Sequence, residues 1–324
     1  MKILVTGAAG FIGSHFSRYI LNQQAPIELH KIEKITLLDS LDYSGNLANL
    51  SDLLPNPMIE FIKGDITDSE LMNELCFQHN YIVNFAAKSH VDRSILNSTN
   101  FVATNVLGTQ VLLESALRNK ITTFLQVSTD EIYGSINSGS WTEKSPMLPN
   151  SPYAASKAAA ELMVRSFVRT HDLDVRVTRC SNNYGTNQYP EKAIPLFITN
   201  ILRGKKIPIY GSGENTREWI HVDDHCRALW RVLTSNKRQT IYNIGSGIEL
   251  SNLELASKIC SMMGYSSELI EHVEDRKGHD FRYSLDSSKI ELNLGFKPEI
   301  EFQIGLKDTI DWYVNNEKWW QPLL

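Results

Sequence analysis

The chain has 324 residues, 42% of them apolar and 21% charged, with a formal net charge of −5. That length and apolar content suit a globular protein with a sizeable core, as one large domain or two smaller ones. The acidic balance excludes a global field that would attract nucleic acid, leaving room only for a local basic cleft around a phosphate ligand; no apolar run approaches the ~20 residues that span a bilayer, so no membrane partner is expected.

Met1-Lys2 leads at once into Ile3-Leu4-Val5 and a glycine-rich turn, which is too short for a secretory segment, and a cytoplasmic location is expected. The first predicted strand, Lys2 to Thr6, ends in Thr6-Gly7-Ala8-Ala9-Gly10-Phe11-Ile12-Gly13, and a helix is expected over Phe11 to Asn22. Gly7, Gly10 and Gly13 in that setting form a dinucleotide turn. The first two let the backbone turn tightly and approach a pyrophosphate. The third allows close helix-to-strand packing, while the helix N-terminus supplies amide hydrogens and a positive dipole. A bare strand-to-helix turn is the plainer alternative, and the position right after a strand argues against it.

The second strand, Lys34 to Asp39, ends in a carboxylate placed to accept both ribose hydroxyls of an adenosine and to repel a 2′-phosphate. No Lys or Arg lies between Lys34 and Lys63 to offset it, so NAD is favoured over NADP. After the third strand, Ile59 to Lys63, Asp65 and Ile66 could flank the adenine, although Gly64-Asp65 is also an ordinary turn. A helix over Asp68 to Gln78 has Asp68 as its N-cap and Glu70 in its first turn. Strand Tyr81 to Phe85 follows, with Ala86 assigned to the cofactor wall just beyond it. A long helix spans Phe101 to Arg118, then come strand Thr123 to Val127, helix Tyr153 to Thr170 and strand Asp174 to Thr178. These strands show little alternation, as strands covered on both faces should. The β/α alternation predicts an α/β, doubly wound parallel sheet.

Beyond Ser181 the pattern shifts to loops rich in Asn, Gly, Tyr and Pro, such as Asn182-Asn183-Tyr184-Gly185 and Tyr189-Pro190-Glu191-Lys192. This reads as a smaller lobe woven onto the first. The aromatic tail from Trp312 to Pro322 is expected to dock on the body. Cys76, Cys180, Cys226 and Cys260 are widely spaced and read as buried free thiols, with no disulfide or metal framework.

Tyr153 and Lys157 stand four residues apart and share a helix face. An ammonium beside a phenol lowers its pKa, and a phenolate near neutral pH can take a proton from an alcohol as its hydride leaves. Tyr-x-x-x-Lys alone is common. Its weight comes from Ser128-Thr129-Asp130-Glu131, which one strand earlier brings a hydroxyl and two carboxylates to the carboxyl edge of the sheet. Simple alcohol oxidation needs no such pair. Two carboxylates suggest an acid and a base acting on neighbouring atoms, against the plainer reading of a solvated turn.

The segments quoted above, together with Asp42-Tyr43-Ser44-Gly45-Asn46, Ser89-His90-Val91-Asp92-Arg93-Ser94, Ser151-Pro152-Tyr153-Ala154-Ala155-Ser156-Lys157, Arg217-Glu218-Trp219 and Gly278-His279-Asp280, cover nearly the whole chain. On them it resembles the dTDP-glucose 4,6-dehydratases of the extended short-chain dehydrogenase/reductase superfamily. The resemblance implies an NAD-binding Rossmann domain over residues 1–180 and a smaller mixed α/β nucleotide-sugar lobe over 181–324, interwoven with the first. It implies a lyase of deoxysugar biosynthesis: Tyr153, with Lys157, takes the O4 proton beside Thr129 as C4 is oxidised. Glu131 then takes the C5 proton, Asp130 protonates the departing C6 hydroxyl, and the hydride returns to C6, so that NAD is retained. It places Ser89 and His90 near the sugar or nicotinamide, and Asn182, Glu191, Lys192, Arg217, Asn252 and His279 near the nucleotide, with Arg282 as a further member. It also implies a homodimer through the two long helices. The chain departs from the usual pattern at Lys88 (usually Glu), Glu218 (usually Asp) and Phe281 (usually Arg), which keeps UDP-glucose and UDP-N-acetylglucosamine open as substrates. A nucleotide-sugar 4-epimerase shares the cofactor and Tyr-Lys parts but lacks the Asp-Glu pair. A non-enzymatic NAD-binding sensor is a third reading, against which the intact Thr129, Tyr153 and Lys157 argue.

Overall fold

The computed structural model describes residues 1–22 and 31–324. The chain runs β1 (Lys2–Thr6), α1 (Phe11–Leu21), β2 (Lys34–Asp39), β3 (Ile59–Lys63), α2 (Ser69–Gln78), β4 (Tyr81–Asn84), α3 (Val91–Leu96), α4 (Thr99–Phe101), α5 (Gly108–Arg118), β5 (Thr123–Thr129), α6 (Pro152–His171) and β6 (Val175–Cys180). It continues through β7 (Asn182–Tyr184), α7 (Ala193–Leu202), β8 (Ile207–Tyr210), β9 (Thr216–His221), α8 (Val222–Thr234), β10 (Ile241–Ile244), β11 (Glu249–Ser251), α9 (Asn252–Met262), β12 (Ile270–Val273), α10 (Ser288–Leu294), α11 (Phe302–Asn315) and α12 (Glu317–Trp320).

Seven strands form one parallel sheet in the order β10-β6-β5-β4-β1-β2-β3. Its strands lack alternation because both faces are covered. Ile3, Leu37, Val83 and Leu125 enter a core shared with Phe16 of α1 and Leu229 of α8. Their neighbours Leu4, Leu38, Ile82 and Phe124 enter a second core with Met72 of α2 and Leu113 of α5. Strand order reverses between β1 and β4, and ligands of open α/β sheets bind outside the carboxyl ends of the strands at such a switch point.

The six expected strands all form, the first three at the expected bounds and the last three with shifted ends. β5 runs two residues past Val127, because Ser128 and Thr129 pair with Arg179 and Cys180 of β6. A seventh strand, β10, comes from far along the chain and pairs with β6 in parallel. The helix expected over Phe101 to Arg118 is continuous but not uniform: Val102–Leu107 between α4 and α5 is π-helical. Asp68 caps α2 as expected, accepting from the N–H groups of Glu70 and Leu71 at 3.1 Å each.

A third core packs Phe197 of α7, Trp219 of β9, Ile259 of α9 and Tyr313 of α11. Two small sheets, β11-β9-β7 and β12-β8, lie beside it. The aromatic tail docks: Trp320 is buried and donates to the Tyr313 carbonyl at 2.8 Å, and Trp319 donates to Asn49 Oδ1 at 3.0 Å. All four cysteines are buried and free. Among the described residues, no helix is long and apolar enough to cross a membrane, and no group of His, Cys, Asp or Glu is arranged to hold a metal ion.

Candidate active site

A cleft of about 680 Å³ opens at the carboxyl ends of β1, β2, β4 and β5. Gly7 sits at φ +66°, and a Cβ there would lie 2.6 Å from the Ala86 nitrogen. A Cβ at Gly13 would lie 2.3 Å from the Gly7 carbonyl oxygen. The first position therefore needs glycine for its backbone conformation and its approach to β4, and the third for the packing of α1 on the turn. Gly10 is the N-cap of α1 and has no side chain to occupy the free N–H groups of the first turn, which face the cleft. Asp39 is buried at the end of β2. Its Oδ2 accepts from the Ala9 N–H at 2.9 Å and its Oδ1 from the Leu41 N–H at 2.8 Å. It thus holds the glycine turn itself, and each oxygen keeps one lone pair for a ribose hydroxyl. Burial pushes its carboxyl up. Asp65 closes the ordinary turn that the sequence allowed, accepting from the N–H and hydroxyl of Thr67, and still lines the cleft together with Ile66 and Ala86.

The same cleft contains Thr129, Asp130, Glu131, Tyr153 and Lys157. Ser151 accepts from the Ala154 N–H at 3.1 Å and Pro152 supplies the first helical residue, so α6 begins one residue before Tyr153. One turn on, Lys157 donates to the Val127 carbonyl at 2.7 Å. Burial pulls its ammonium down to about 8. Burial also pushes the Tyr153 phenol well up, helped by the charge of Glu131.

Thr129 donates to Asp130 Oδ1 at 3.2 Å and accepts from the Glu131 N–H at 3.3 Å. Asp130 is buried, and its Oδ2 makes no hydrogen bond with the described residues. Desolvation, the Glu131 charge and the Glu218 charge push it well up. Glu131 is also raised by burial, but Arg276, Arg217 and Lys192 pull it back. Two adjacent carboxyls therefore hold protons with different strength, which is how one site acquires an acid and a base.

A second cavity of about 200 Å³ adjoins the first and shares Ser89, Glu131, Asn182, Glu191 and Lys192 with it. His90, Arg217, Asn252 and His279 also line it, so every substrate-side residue expected from the sequence except Arg282 falls in one of the two cavities. Arg282 lies outside both. It makes a two-pronged ion pair with Glu249, at 2.6 and 2.7 Å, and serves the lobe's own structure. Lys192 donates to the Ser89 carbonyl at 2.9 Å. The Arg217 guanidinium lies 4.4 Å over the Tyr283 ring and donates to the carbonyls of Thr216 and Asp280. Asn182 Oδ1 and Arg276 Nε are buried without a hydrogen bond among the described residues. Lys192, Arg217 and Arg276 form the local basic cleft that an acidic chain could still contain, suited to a diphosphate.

Sequence reasoning missed Arg276, whose signal was its place in Asp275-Arg276-Lys277-Gly278-His279 beside a residue already singled out. It missed Tyr43, Tyr210 and Tyr283 as lining side chains as well. The three departures take defined places. Glu218 is buried, accepting from the N–H groups of Gly247 at 2.8 Å and Leu285 at 2.9 Å, which makes it a clasp between loops. Phe281 is half exposed and lines neither cavity. Lys88 lines the first cavity and forms an ion pair with Asp42.

The chain matches the family model described as GDP-mannose 4,6 dehydratase over residues 4–309. It is 51% identical over 323 residues to a dTDP-glucose 4,6-dehydratase of Streptomyces niveus, with all of this chain and 96% of that one covered. Its fold is similar to that of DesIV, a dTDP-glucose 4,6-dehydratase from Streptomyces venezuelae solved with NAD bound, with a TM-score of 0.98, 51% identity and complete coverage of both chains. A UDP-glucose 4-epimerase of Thermotoga maritima has a TM-score of 0.88 at 30% identity, over 98% of this chain and 100% of that one.

Proposed function

The chain belongs to the dTDP-glucose 4,6-dehydratase family of the extended short-chain dehydrogenase/reductase superfamily, and we propose from its site that it converts dTDP-glucose to dTDP-4-keto-6-deoxyglucose with a retained NAD. The observation that carries this reading is the Asp130-Glu131 pair, set in the cleft that also contains Tyr153 and Lys157, with surroundings that separate the two carboxyls.

Gly7, Gly10, Phe11, Ile12 and Gly13 would hold the pyrophosphate of NAD, Asp39 a ribose, Asp65 and Ile66 the adenine, and Ala86, Tyr153 and Lys157 the nicotinamide half. Bound NAD supplies the redox chemistry, taking a hydride from C4 and returning it to C6. Its positive charge would favour the phenolate form of Tyr153, which burial and the Glu131 charge disfavour. Tyr153 removes the O4 proton, with Thr129 donating toward the same oxygen. The C4 ketone makes the C5 proton acidic, and Glu131 takes it, to return it to C5 when the hydride arrives at C6. Asp130, whose carboxyl is held toward its protonated form by burial and the neighbouring glutamates, gives its proton to the C6 hydroxyl, which leaves as water, and regains it through solvent as Tyr153 gives up the one it took. Lys192, Arg217 and Arg276 neutralise the diphosphate, with Asn182, Glu191, Asn252 and His279 around the nucleotide and Ser89 and His90 near the sugar.

A 4-epimerase has no use for a protonated carboxyl beside a carboxylate base, and the similarity to the dTDP-glucose enzymes is much the higher of the two. Of the three departures, Glu218 and Phe281 line neither cavity, and Lys88 is held in an ion pair with Asp42. We propose further that the protein works as a homodimer in the cytoplasm, where its four free thiols stay reduced. Incubation with dTDP-glucose, UDP-glucose and UDP-N-acetylglucosamine, with products read by mass, tests the reading. Loss of water from dTDP-glucose is expected. Loss of water from a UDP-sugar alone moves the substrate assignment, and a mass-neutral change restores the epimerase.

A further inference from the structure

Two loops face each other across the dinucleotide cleft. One follows β2 and lines the cleft through Asp42, Tyr43, Ser44 and Gly45. The other follows β4 and lines it through Ala86, Ala87, Lys88 and Ser89. An ion pair between Lys88 Nζ and the Asp42 carboxylate joins them, with the lysine side chain 21% exposed and the aspartate 51%.

Both ends of this bridge are anchored. The Lys88 N–H donates to Asn105 Oδ1 at 2.9 Å, and its carbonyl accepts from Asn105 Nδ2 at 3.0 Å. Asn105 is buried in the π-helical turn. At the other end, the Gly45 N–H closes a turn onto the Asp42 carbonyl at 2.8 Å, and the Asn46 N–H reaches the Ala9 carbonyl of the glycine turn at 3.1 Å. Tyr43 is pinned from outside, with the Arg93 guanidinium 4.0 Å over its ring and Tyr189 edge-on at 5.6 Å.

We propose that Lys88 is a cofactor-retention residue: its ion pair with Asp42 latches the Asp42–Gly45 loop across the mouth of the cleft and slows release of the bound dinucleotide. This rests on the NAD reading above. A redox-neutral reaction needs its cofactor to stay bound from one turnover to the next. Release requires the two loops to part, and parting them breaks this pair. Fixed backbone at both ends reduces the ordering cost that makes most partly exposed ion pairs weak.

The test uses the holoenzyme loaded with radiolabelled NAD and chased with excess unlabelled NAD, counting the label retained. Lys88→Met should release label about two- to fivefold faster, the range a partly exposed ion pair commands. Lys88→Glu should release it faster still, because like charges then face each other. The double reversal Lys88→Glu with Asp42→Lys should return the rate toward wild type, which a merely structural role would not do. Raising the salt concentration should speed release from the wild type and leave Lys88→Met nearly unchanged. Equal release from the wild type, Lys88→Met and Lys88→Glu overturns the latch, as does a double reversal as fast as Lys88→Glu. A wild type that retains no label at all overturns the cofactor reading and the latch with it.

Discussion

Asp130 is a group the fold holds at a cost to itself. It is buried, and one of its oxygens lacks a hydrogen bond among the described residues. Its carboxyl is pushed well above its ordinary value by desolvation and by two neighbouring glutamates. An acid raised in the folded state contributes stability that is fully present below its unfolded pKa of about 4 and is lost as the pH rises toward the folded value. Asp130→Asn keeps the shape without that loss. It should leave stability nearly unchanged near pH 4 and raise the thermal midpoint by a few degrees near pH 7, a gain of the size typical of relieving a strained functional site. Melting curves at the two pH values check this, and a lower midpoint at pH 7 would contradict it. The residue types at Thr129, Asp130, Glu131, Tyr153 and Lys157 were legible in the sequence because their spacings place them on one strand end and one helix turn. The protonation balance was not. The charges that act on Glu131 beyond those on Asp130 come from Lys192 and Arg276, which are distant in sequence and enter only through the fold.

At the scale of elements, the six expected strands and the glycine turn were legible because both rest on local sequence: β-branched runs and backbone that only glycine can adopt. β10 was not, since four residues, Ile241–Ile244, become a strand only through the edge that β6 offers. The π-helical turn was equally hidden, because nothing in the composition of Val102–Leu107 marks it. Its consequence is specific. Asn105 on that turn pairs both backbone groups of Lys88 and also donates to Ser156 Oγ at 2.8 Å, which donates to the Tyr153 carbonyl at 2.7 Å. One side chain therefore ties the β4 loop to the start of α6. Asn105→Ala should cost roughly 1–3 kcal/mol, the range for leaving buried partners unpaired. Urea denaturation measures it, and a loss below ~0.5 kcal/mol, the scale of an ordinary surface change, would show that other contacts hold the loop.

At the scale of the molecule, the helices between β4 and β6 leave apolar side chains in solvent. Leu96 is 87% exposed, Val102 54%, Leu107 48% and Leu162 51%. Apolar surface of this kind on α3 and the two long helices fits a face that a second copy covers, and closed two-fold pairing is the commonest such assembly. Light scattering at micromolar concentration should give twice the chain mass, and Leu107→Lys with Leu162→Lys should shift it toward the monomer. A wild-type monomer would contradict the proposal.

The central claim is that one cleft oxidises C4 with Tyr153 and removes water with Asp130 and Glu131, so that the two steps can be separated. Glu131→Gln keeps size and hydrogen-bonding shape while removing the base. Rapid mixing of this variant with dTDP-glucose, following the absorbance of reduced cofactor and the mass of the product together, tests the claim most directly. The account predicts reduced cofactor that builds up and persists, with 6-deoxy product formed at least a hundredfold more slowly than by the wild type, the usual scale for losing a general base. Product formed at the wild-type rate would contradict it.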